Sequence, residues 1–216
     1  MPIDRKLILK AVEEAKKNAK KRKFTQTIDL VINLKDLDLK IPENRINELL
    51  ELPHSPKQNI KVIVFAGGDL ALRAEKAGAD RILGREDLER FASDKKGAKR
   101  LIADTDFFLS ETSLMSTVGK ILGPVLGPRG KMPTPIPPTA PVDAVINRHR
   151  KSVRIRLREQ LNTQIAIRTE EMSGEMLADN IQTIISLLER KLTRGPRNIR
   201  GIYVKTTMGP LTKIES

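Results

Sequence analysis

The residues that decide the fold are 57–69, KQNIKVIVFAGGD, where the composition of the chain changes. Residues 61–66 form a nearly continuous apolar run, and such runs are typical of strands that are buried on both faces of a parallel sheet. A glycine pair follows, and a helical pattern begins directly after it. Short apolar segments at 81–83 and 107–109 alternate with further helical patterns, including one predicted over 86–103. This alternation predicts a small doubly wound α/β unit.

A proline-rich segment, LGPVLGPRGKMPTPIPPTAP, occupies residues 122–141 and contains seven prolines. This density predicts a loop or an extended segment without regular structure, because proline removes a backbone donor and fixes φ. Arg129 and Lys131 project from the segment in this interpretation. Two explanations remain open: a rigid basic loop that contacts a polyanion, or a rigid cover over the open end of the inner sheet.

The two ends of the chain show a different pattern, in which amphipathic helices accompany strands with one apolar face. Residues 3–22 predict a helix, and the alternation of residues 25–34 predicts a strand. Near the other end, apolar positions at helical spacing predict a helix over 175–192, and residues 199–207 predict a final strand.

The stretch VRIRLR, residues 153–158, also alternates with a period of two. Its valine, isoleucine and leucine point to one side, and its arginines, Arg154 among them, form a basic and solvated face on the other. Residues 163–169 are the expected partner of this strand in a hairpin.

These patterns predict an α+β domain, with packed helices on an antiparallel sheet, that is built from both chain ends and interrupted by an inserted α/β domain. The expected boundaries are residues 1–56 with 152–216 for the discontinuous domain and 57–151 for the inserted one. The turn residues PHSP, at 53–56, mark the first crossing between them.

The charge balance is the strongest global indication of a partner. Forty Lys and Arg face 27 Asp and Glu, which gives a net charge of +13. Such an excess predicts a polyanionic partner, and nucleic acid is the usual one. Aromatic residues make up only 3%, which disfavours both base stacking and a membrane-surface helix. The chain contains no cysteine, no long apolar run and no apolar signal core near its start, so we expect a cytoplasmic protein without a membrane segment.

Catalysis has no good candidate in the sequence. Residues 67–69, Gly-Gly-Asp, follow a strand but lack the spacing of a phosphate-binding loop. The two histidines, His54 and His149, have no serine or cysteine partner that suggests a triad. A metal site is also disfavoured, because the nearest candidate carboxylates lack a complementary cluster: Asp104, Asp106 and Glu111. We therefore expect neither an enzyme nor a cofactor.

Four motifs in collinear order resemble the ribosomal L-one protein family, and in particular its archaeal branch. They are KRKFTQTID at 21–29, LGPVLGPRGKMP at 122–133, LADNI at 177–181 and YVKTTMGP at 203–210. The resemblance extends over essentially the whole chain, and four ordered motifs are more specific than any single one.

The resemblance implies a discontinuous terminal domain and an inserted Rossmann-like domain. It also implies a constituent of the large ribosomal subunit that binds ribosomal RNA at the mobile stalk near the tRNA exit site and assists release of deacylated tRNA. Repression of its own messenger RNA, and a monomer outside the ribosome, are further expectations from the family.

The RNA contacts implied by the resemblance belong to the terminal domain, at Glu14, Phe24 and Thr27 near the start and Thr207, Met208 and Gly209 near the end. Arg154 is added from its place on the basic strand. With adjacent residues, the predicted RNA-binding set is Glu14, Lys23, Phe24, Thr25, Thr27, Arg154, Thr206, Thr207, Met208 and Gly209. Two alternatives remain open: a nucleotide-dependent enzyme that uses the inserted domain, and a nonspecific polyanion binder.

Overall fold

A computed structural model describes residues 4–54, 60–158 and 160–215 of the chain. The strands are β1 Thr27–Leu34, β2 Ile46–Glu51, β3 Val62–Phe65, β4 Arg81–Leu83, β5 Phe107–Glu111, β6 Thr134–Ile136, β7 Ser152–Leu157, β8 Asn162–Thr169, β9 Ile199–Thr206 and β10 Thr212–Ile214. The α-helices are α1 Arg5–Lys17, α2 Gly68–Lys76, α3 Arg85–Ser93, α4 Lys95–Asp104, α5 Met115–Arg129, α6 Val142–Lys151 and α7 Gly174–Lys191. Short 3₁₀ helices occur at Pro42–Asn44 and Gly195–Asn198.

The chain divides into two compact units. Met1–Gln58 and Lys151–Ser216 form one, which we call the terminal unit, and Asn59–Arg150 form the other, which we call the inner unit. The terminal unit has antiparallel sheets and the inner unit a parallel one, so the expectation of a mixed α/β protein with both sheet types is confirmed. Residues 55 and 56 of the PHSP turn lie outside the described residues.

The inner unit is built on a four-stranded parallel sheet in the order β4-β3-β5-β6. Strand β3 lies inside the sheet and all four of its residues are buried, as the apolar run predicts. Phe65 of β3 stacks on Phe108 of β5, with ring centroids 5.8 Å apart. The helix predicted over 86–103 is in fact two helices, because Asp94 ends α3 and then caps α4 by accepting a hydrogen bond from the Gly97 amide at 2.9 Å.

The prediction that residues 122–141 lack regular structure is wrong in two places, because Thr134–Ile136 form β6 and the first part of the segment is helical. Helix α5 continues to Arg129 and includes Pro124 and Pro128. A glycine precedes each of these prolines, and it lacks the Cβ that would clash with the following proline ring in a helical backbone. The helix therefore tolerates both prolines, although each removes one backbone hydrogen bond.

Burial supplies the stabilisation that the prolines of α5 remove. Val118, Leu122 and Leu126 recur every four residues on one side of the helix, and all three are fully inaccessible to solvent. Burying a side chain of this size contributes about 1.5–3 kcal/mol. Gly130, at φ +66°, then ends the helix in the left-handed conformation that glycine adopts without strain.

The terminal unit contains a four-stranded antiparallel sheet in the order β10-β9-β1-β8. Helices α1 and α7 pack on one face of it, and their apolar side chains share a single core with those of the strands. In β1 the even-numbered residues are buried and the odd-numbered ones are half-buried, which confirms the predicted alternation. Asp4 caps α1 by accepting a hydrogen bond from the Lys6 amide at 3.1 Å.

The hairpin predicted between residues 153–158 and 163–169 is wrong. Strand β7 pairs with β2 in a separate two-stranded sheet, and β8 pairs with β1. Alternation determines which side chains of a strand face the core, but it does not determine which strand lies beside it. The sequence INELLE of β2 alternates weakly, so this partner was missed, and so was the three-residue strand β10.

Candidate RNA interface

The beginning of β1 and the end of β9, the two central strands, meet at one end of the antiparallel sheet, and we call this end the β1–β9 edge. Their register pairs Ile28 with Thr206, so two motifs about 180 positions apart in the sequence become neighbours. The Thr207 amide donates to the Thr27 carbonyl at 3.0 Å, and the Thr27 amide donates to the Thr207 hydroxyl, also at 3.0 Å. The hydroxyl of Thr207 therefore takes the place of a main-chain acceptor and extends the β1–β9 ladder by one step.

Gln26 connects the chain segments that meet at the same edge, and the sequence interpretation missed this residue. This buried side chain accepts the Met208 amide at 3.1 Å and donates to the Lys20 carbonyl at 3.2 Å. Its own amide group also contacts Glu170, whose carboxylate accepts from the Gln26 backbone at 3.0 Å. The available signal was its even position, because Gln26 precedes Ile28 on the side of the strand that faces the core.

A tight turn follows β9 and displays Met208. The Gly209 amide donates to the Thr206 carbonyl at 3.0 Å, which closes the turn. A Cβ at Gly209 would lie 2.2 Å from the Thr206 hydroxyl oxygen, although φ of Gly209 is not positive. Close approach, not backbone conformation, is therefore the reason for glycine here. The Thr206 hydroxyl is buried and has no hydrogen-bond partner within the described part of the chain.

Two large apolar side chains are exposed beside these hydrogen bonds. Phe24 is 52% exposed and Met208 is 58% exposed. An apolar side chain that solvent reaches to this extent is not needed for the core, and both of these flank the Thr27–Thr207 junction in sequence. They offer adaptable apolar contact to a partner that approaches this edge.

The link between α1 and β1 is strongly basic. Helix α1 ends at Lys17, five residues earlier than predicted. Lys16 is turned inward: its ammonium group donates to the Met172 carbonyl, and burial lowers its pKa. The cations that follow are exposed and form no ion pair with any described residue: Lys17, Lys20, Lys21, Arg22 and Lys23.

The other predicted RNA-binding residues are placed less uniformly. Glu14 is exposed on α1 and lines a shallow groove with Lys10 and Lys213. The Thr25 hydroxyl donates to Glu171 at 3.0 Å. Arg154 lies on β7, in the separate two-stranded sheet, and is half-buried instead of fully solvated as predicted; this burial lowers its pKa.

Arg129 does not lie in a loop as predicted, whereas Lys131 does, in the link between α5 and β6, but its side chain does not project from that link. Arg129 is the last residue of α5, and one of its Nη atoms donates to the Lys99 carbonyl at 3.4 Å. The Lys131 ammonium group donates to the Ile102 carbonyl at 3.1 Å and to the Thr105 carbonyl at 2.5 Å. Lys131 thus caps the carbonyl end of α4 instead of projecting into solvent.

The glycine pair after β3 is occupied by a side chain of the protein. The Gly67 amide donates to the Glu111 carboxylate at 3.1 Å, and hydrogen bonds from Ser113 and Gly67 lower the pKa of Glu111. A carboxylate at this helix start repels a phosphate group, which disfavours a nucleotide site.

The two histidines have structural contacts. His54 lies 3.1 Å from Asp179, and His149 is buried with its Nδ1 2.8 Å from the Val145 carbonyl oxygen. Among the described residues, no group of His, Asp and Glu side chains is arranged to hold a metal ion. Likewise, no helix in the described ranges has the length and apolar content that crossing a membrane requires.

Comparison with known proteins identifies the family. Residues 15–210 match the Ribosomal protein L1p/L10e family. A protein of Methanocella arvoryzae named Large ribosomal subunit protein uL1 is 49% identical over 210 residues, which cover 97% of this chain and 99% of that protein. The proteins of the same name from Archaeoglobus fulgidus and Methanothermococcus thermolithotrophicus are 43% and 44% identical, over 99% of this chain and 100% of each relative.

These matches confirm the resemblance that the four motifs indicate. The relatives are named as ribosomal proteins, not as enzymes, and the chain is accordingly not an enzyme. The matched residues include both strands of the Thr27–Thr207 junction and the whole inner unit. The chain belongs to the Ribosomal protein L1p/L10e family.

Proposed function

We propose that this protein is a structural constituent of the large ribosomal subunit and binds ribosomal RNA through its terminal unit. The observation that supports this most directly is the junction of β1 and β9, where two sequence-distant motifs come together beside the exposed residues Phe24, Thr207 and Met208. The RNA-binding set proposed for the terminal unit is the one predicted from the sequence, of which Glu14 and Arg154 lie away from this junction, with Gln26 added as the residue that holds the junction in place.

The chemistry of this edge suits folded RNA. An A-form helix presents 2′-hydroxyls and backbone on a wide, shallow minor groove, and proteins recognise it largely by shape. The Thr27–Thr207 edge and the Gly209 turn allow a close approach to such a surface, and Met208 adds a pliable apolar contact. The cations at 17–23 supply affinity that does not depend on sequence.

Several finer statements extend the proposal. The two units act as separate domains, with boundaries at 1–56 with 152–216 and at 57–151, and the RNA site is the mobile stalk near the tRNA exit site. The protein assists release of deacylated tRNA, represses its own messenger RNA, and is a cytoplasmic monomer outside the ribosome. These finer statements rest on the family resemblance, whereas the family match and the relatives' names support the ribosomal role itself.

The test is a binding measurement with the full chain, a stalk fragment of large-subunit RNA and an unrelated RNA duplex of equal length. Met208→Ala is expected to weaken binding to the fragment about tenfold, equivalent to ~1.4 kcal/mol. Lys21→Ala is expected to lower the salt slope by about one and to affect both RNAs equally.

Thr207→Val and Thr207→Ser form a matched pair for the same assay. Valine removes the acceptor for the Thr27 amide, whereas serine keeps it. We expect the valine variant to lose affinity for the fragment and the serine variant to retain it. Equal affinity for the fragment and the unrelated duplex, with every Lys counting alike and Met208 silent, would show a nonspecific polyanion binder instead.

A further inference from the structure

Helix α4 of the inner unit carries cations at positions where the helix dipole and neighbouring cations disfavour them. The sequence of Lys95–Asp104 is KKGAKRLIAD, and Lys95, Lys96, Lys99 and Arg100 are all exposed. We call these four residues the α4 cationic face. Two of them occupy the first turn, which has no acidic residue, although the amino end of a helix carries partial positive charge. Lys95–Lys99 and Lys96–Arg100 are also like-charge pairs at i,i+4, which destabilise a helix.

The neighbouring helices of the same unit follow the opposite arrangement. Helix α2 has an acidic residue in its first turn and basic residues in its last, and so does α3. Arg73 pairs with Asp69 in α2, and Arg90 pairs with Asp87 in α3. The ordinary explanation for surface lysines, a favourable interaction with the helix dipole, therefore applies to α2 and α3 and fails for α4.

The acids at the two ends of α4 are engaged with groups outside the α4 cationic face, Asp94 with the Gly97 amide and Asp104 with Lys61. The four side chains of the face form no ion pair with any residue that the structure describes. Arg129 adds a further exposed cation beside the α4 cationic face, and one of its Nη atoms donates to the Lys99 carbonyl. Within the described chain, no large apolar side chain of α4 is exposed.

We propose that the α4 cationic face is a second RNA-binding surface, which contacts the phosphate backbone without reading sequence. Lys and Arg are the side chains that make such contacts, whereas protein interfaces are depleted in Lys and rely on aromatic or apolar anchors, which this helix does not display. The surface lies in the inner unit and is separate from the interface proposed for the terminal unit. Its cations reduce helix stability locally and are retained for binding.

The test compares two triple variants of the full chain that have the same net charge. Lys95→Gln/Lys96→Gln/Lys99→Gln removes most of the face, and Lys76→Gln/Arg81→Gln/Lys120→Gln removes exposed inner-unit cations elsewhere. Affinity for an RNA duplex of arbitrary sequence is measured as a function of salt. The first variant is expected to lower the slope of log K against log salt by about two to three, and the control by less than about one.

Thermal unfolding distinguishes a binding role of the α4 cationic face from a structural one. Because like-charge pairs are removed, the α4 variant is expected to melt no lower than the parent chain. Equal slopes for the two triple variants would overturn the proposal and leave α4 as a solvated face. Weaker binding to poly-glutamate without any loss on RNA would assign the face to an acidic protein and would also overturn it.

The outcome is independent of the terminal interface. A Thr207→Val background is expected to leave the slope difference between the two triple variants unchanged, because an arbitrary duplex lacks the folded element that the terminal unit recognises. If the full chain failed to prefer the stalk fragment, the function proposed above would fail while the α4 measurement remained valid.

Discussion

Replacing Gly209 by alanine tests the geometry of the turn that displays Met208. The added Cβ would lie 2.2 Å from the Thr206 hydroxyl oxygen, whereas ordinary contact begins at 3.4 Å, so the two groups must separate by about 1.2 Å. Thr206 is fully buried and its side chain has no room to swing into solvent. Overpacking of this kind costs about 1–3 kcal/mol, which we expect as the loss in unfolding free energy.

A second substitution, at Thr206, is expected to relieve this clash. With Thr206→Ala the hydroxyl and methyl groups disappear, and the remaining Cβ lies 3.5 Å from the new one, which is an ordinary contact. Gly209→Ala is therefore expected to be nearly neutral in a Thr206→Ala background. Thr206→Val retains a group at the clashing position and is expected to give no rescue, which makes it the matched control.

Both effects are measured by denaturant unfolding and by affinity for the stalk RNA fragment, in a double-mutant cycle. We expect a coupling of at least about 1 kcal/mol in stability, and an affinity that falls about tenfold in Gly209→Ala and recovers in the double variant with alanine. An identical cost of Gly209→Ala in all three backgrounds would refute the contact. A loss of stability without any loss of affinity would separate the turn from RNA binding.

Three further variants test the terminal unit. Asn198→Ala removes a fully buried amide that bonds the backbone of two loops, and unfolding measurements should show a loss of about 2–4 kcal/mol; a loss under about 0.5 kcal/mol would contradict this. The hydrogen bond from Arg5 lowers the pKa of Asp179, so its stabilisation is present above the unfolded pKa of about 3.9 and is lost as the pH falls through the folded value. Asp179→Asn should therefore lower Tm at pH 7 and converge with the parent as the pH falls below the folded pKa of Asp179. Burial raises the pKa of Asp29, which reverses the pH dependence of its contribution to stability. That contribution is present below the unfolded pKa and is lost as the pH rises through the folded value. Asp29→Asn should therefore raise Tm at pH 7, and a lower Tm there would contradict the assignment.

Much of the fold was predictable because hydrophobic periodicity reports burial directly. The four buried residues of β3 and the alternating residues of β1 were both evident in the sequence. Helix α5 was not, because its prolines oppose a helix locally and only the burial of residues such as Leu122 in the folded unit compensates for them. The partner of β7 was not predictable either, because strand pairing is decided by contacts distant in sequence.

The candidate site shows the same division. The resemblance of the motifs to a known family implied Thr27 and Met208, but nothing in either motif indicates that the Thr207 hydroxyl replaces a main-chain acceptor. Gln26 was missed because its role depends on groups contributed by two other segments of the chain. The inward orientation of Lys131 depends in the same way on carbonyl groups at the end of another helix.

Hydrogen exchange of the full chain, with and without the stalk RNA fragment, tests the central claim most directly. Amide exchange reports which backbone groups become protected at a binding surface. We expect RNA-dependent protection at residues 23–27 and 206–209, and we expect it to be reduced in Met208→Ala at an RNA concentration near the Kd of the parent chain. Protection that excludes both segments, or that appears equally with an unrelated duplex, would contradict the assignment of the β1–β9 edge as the RNA-reading surface.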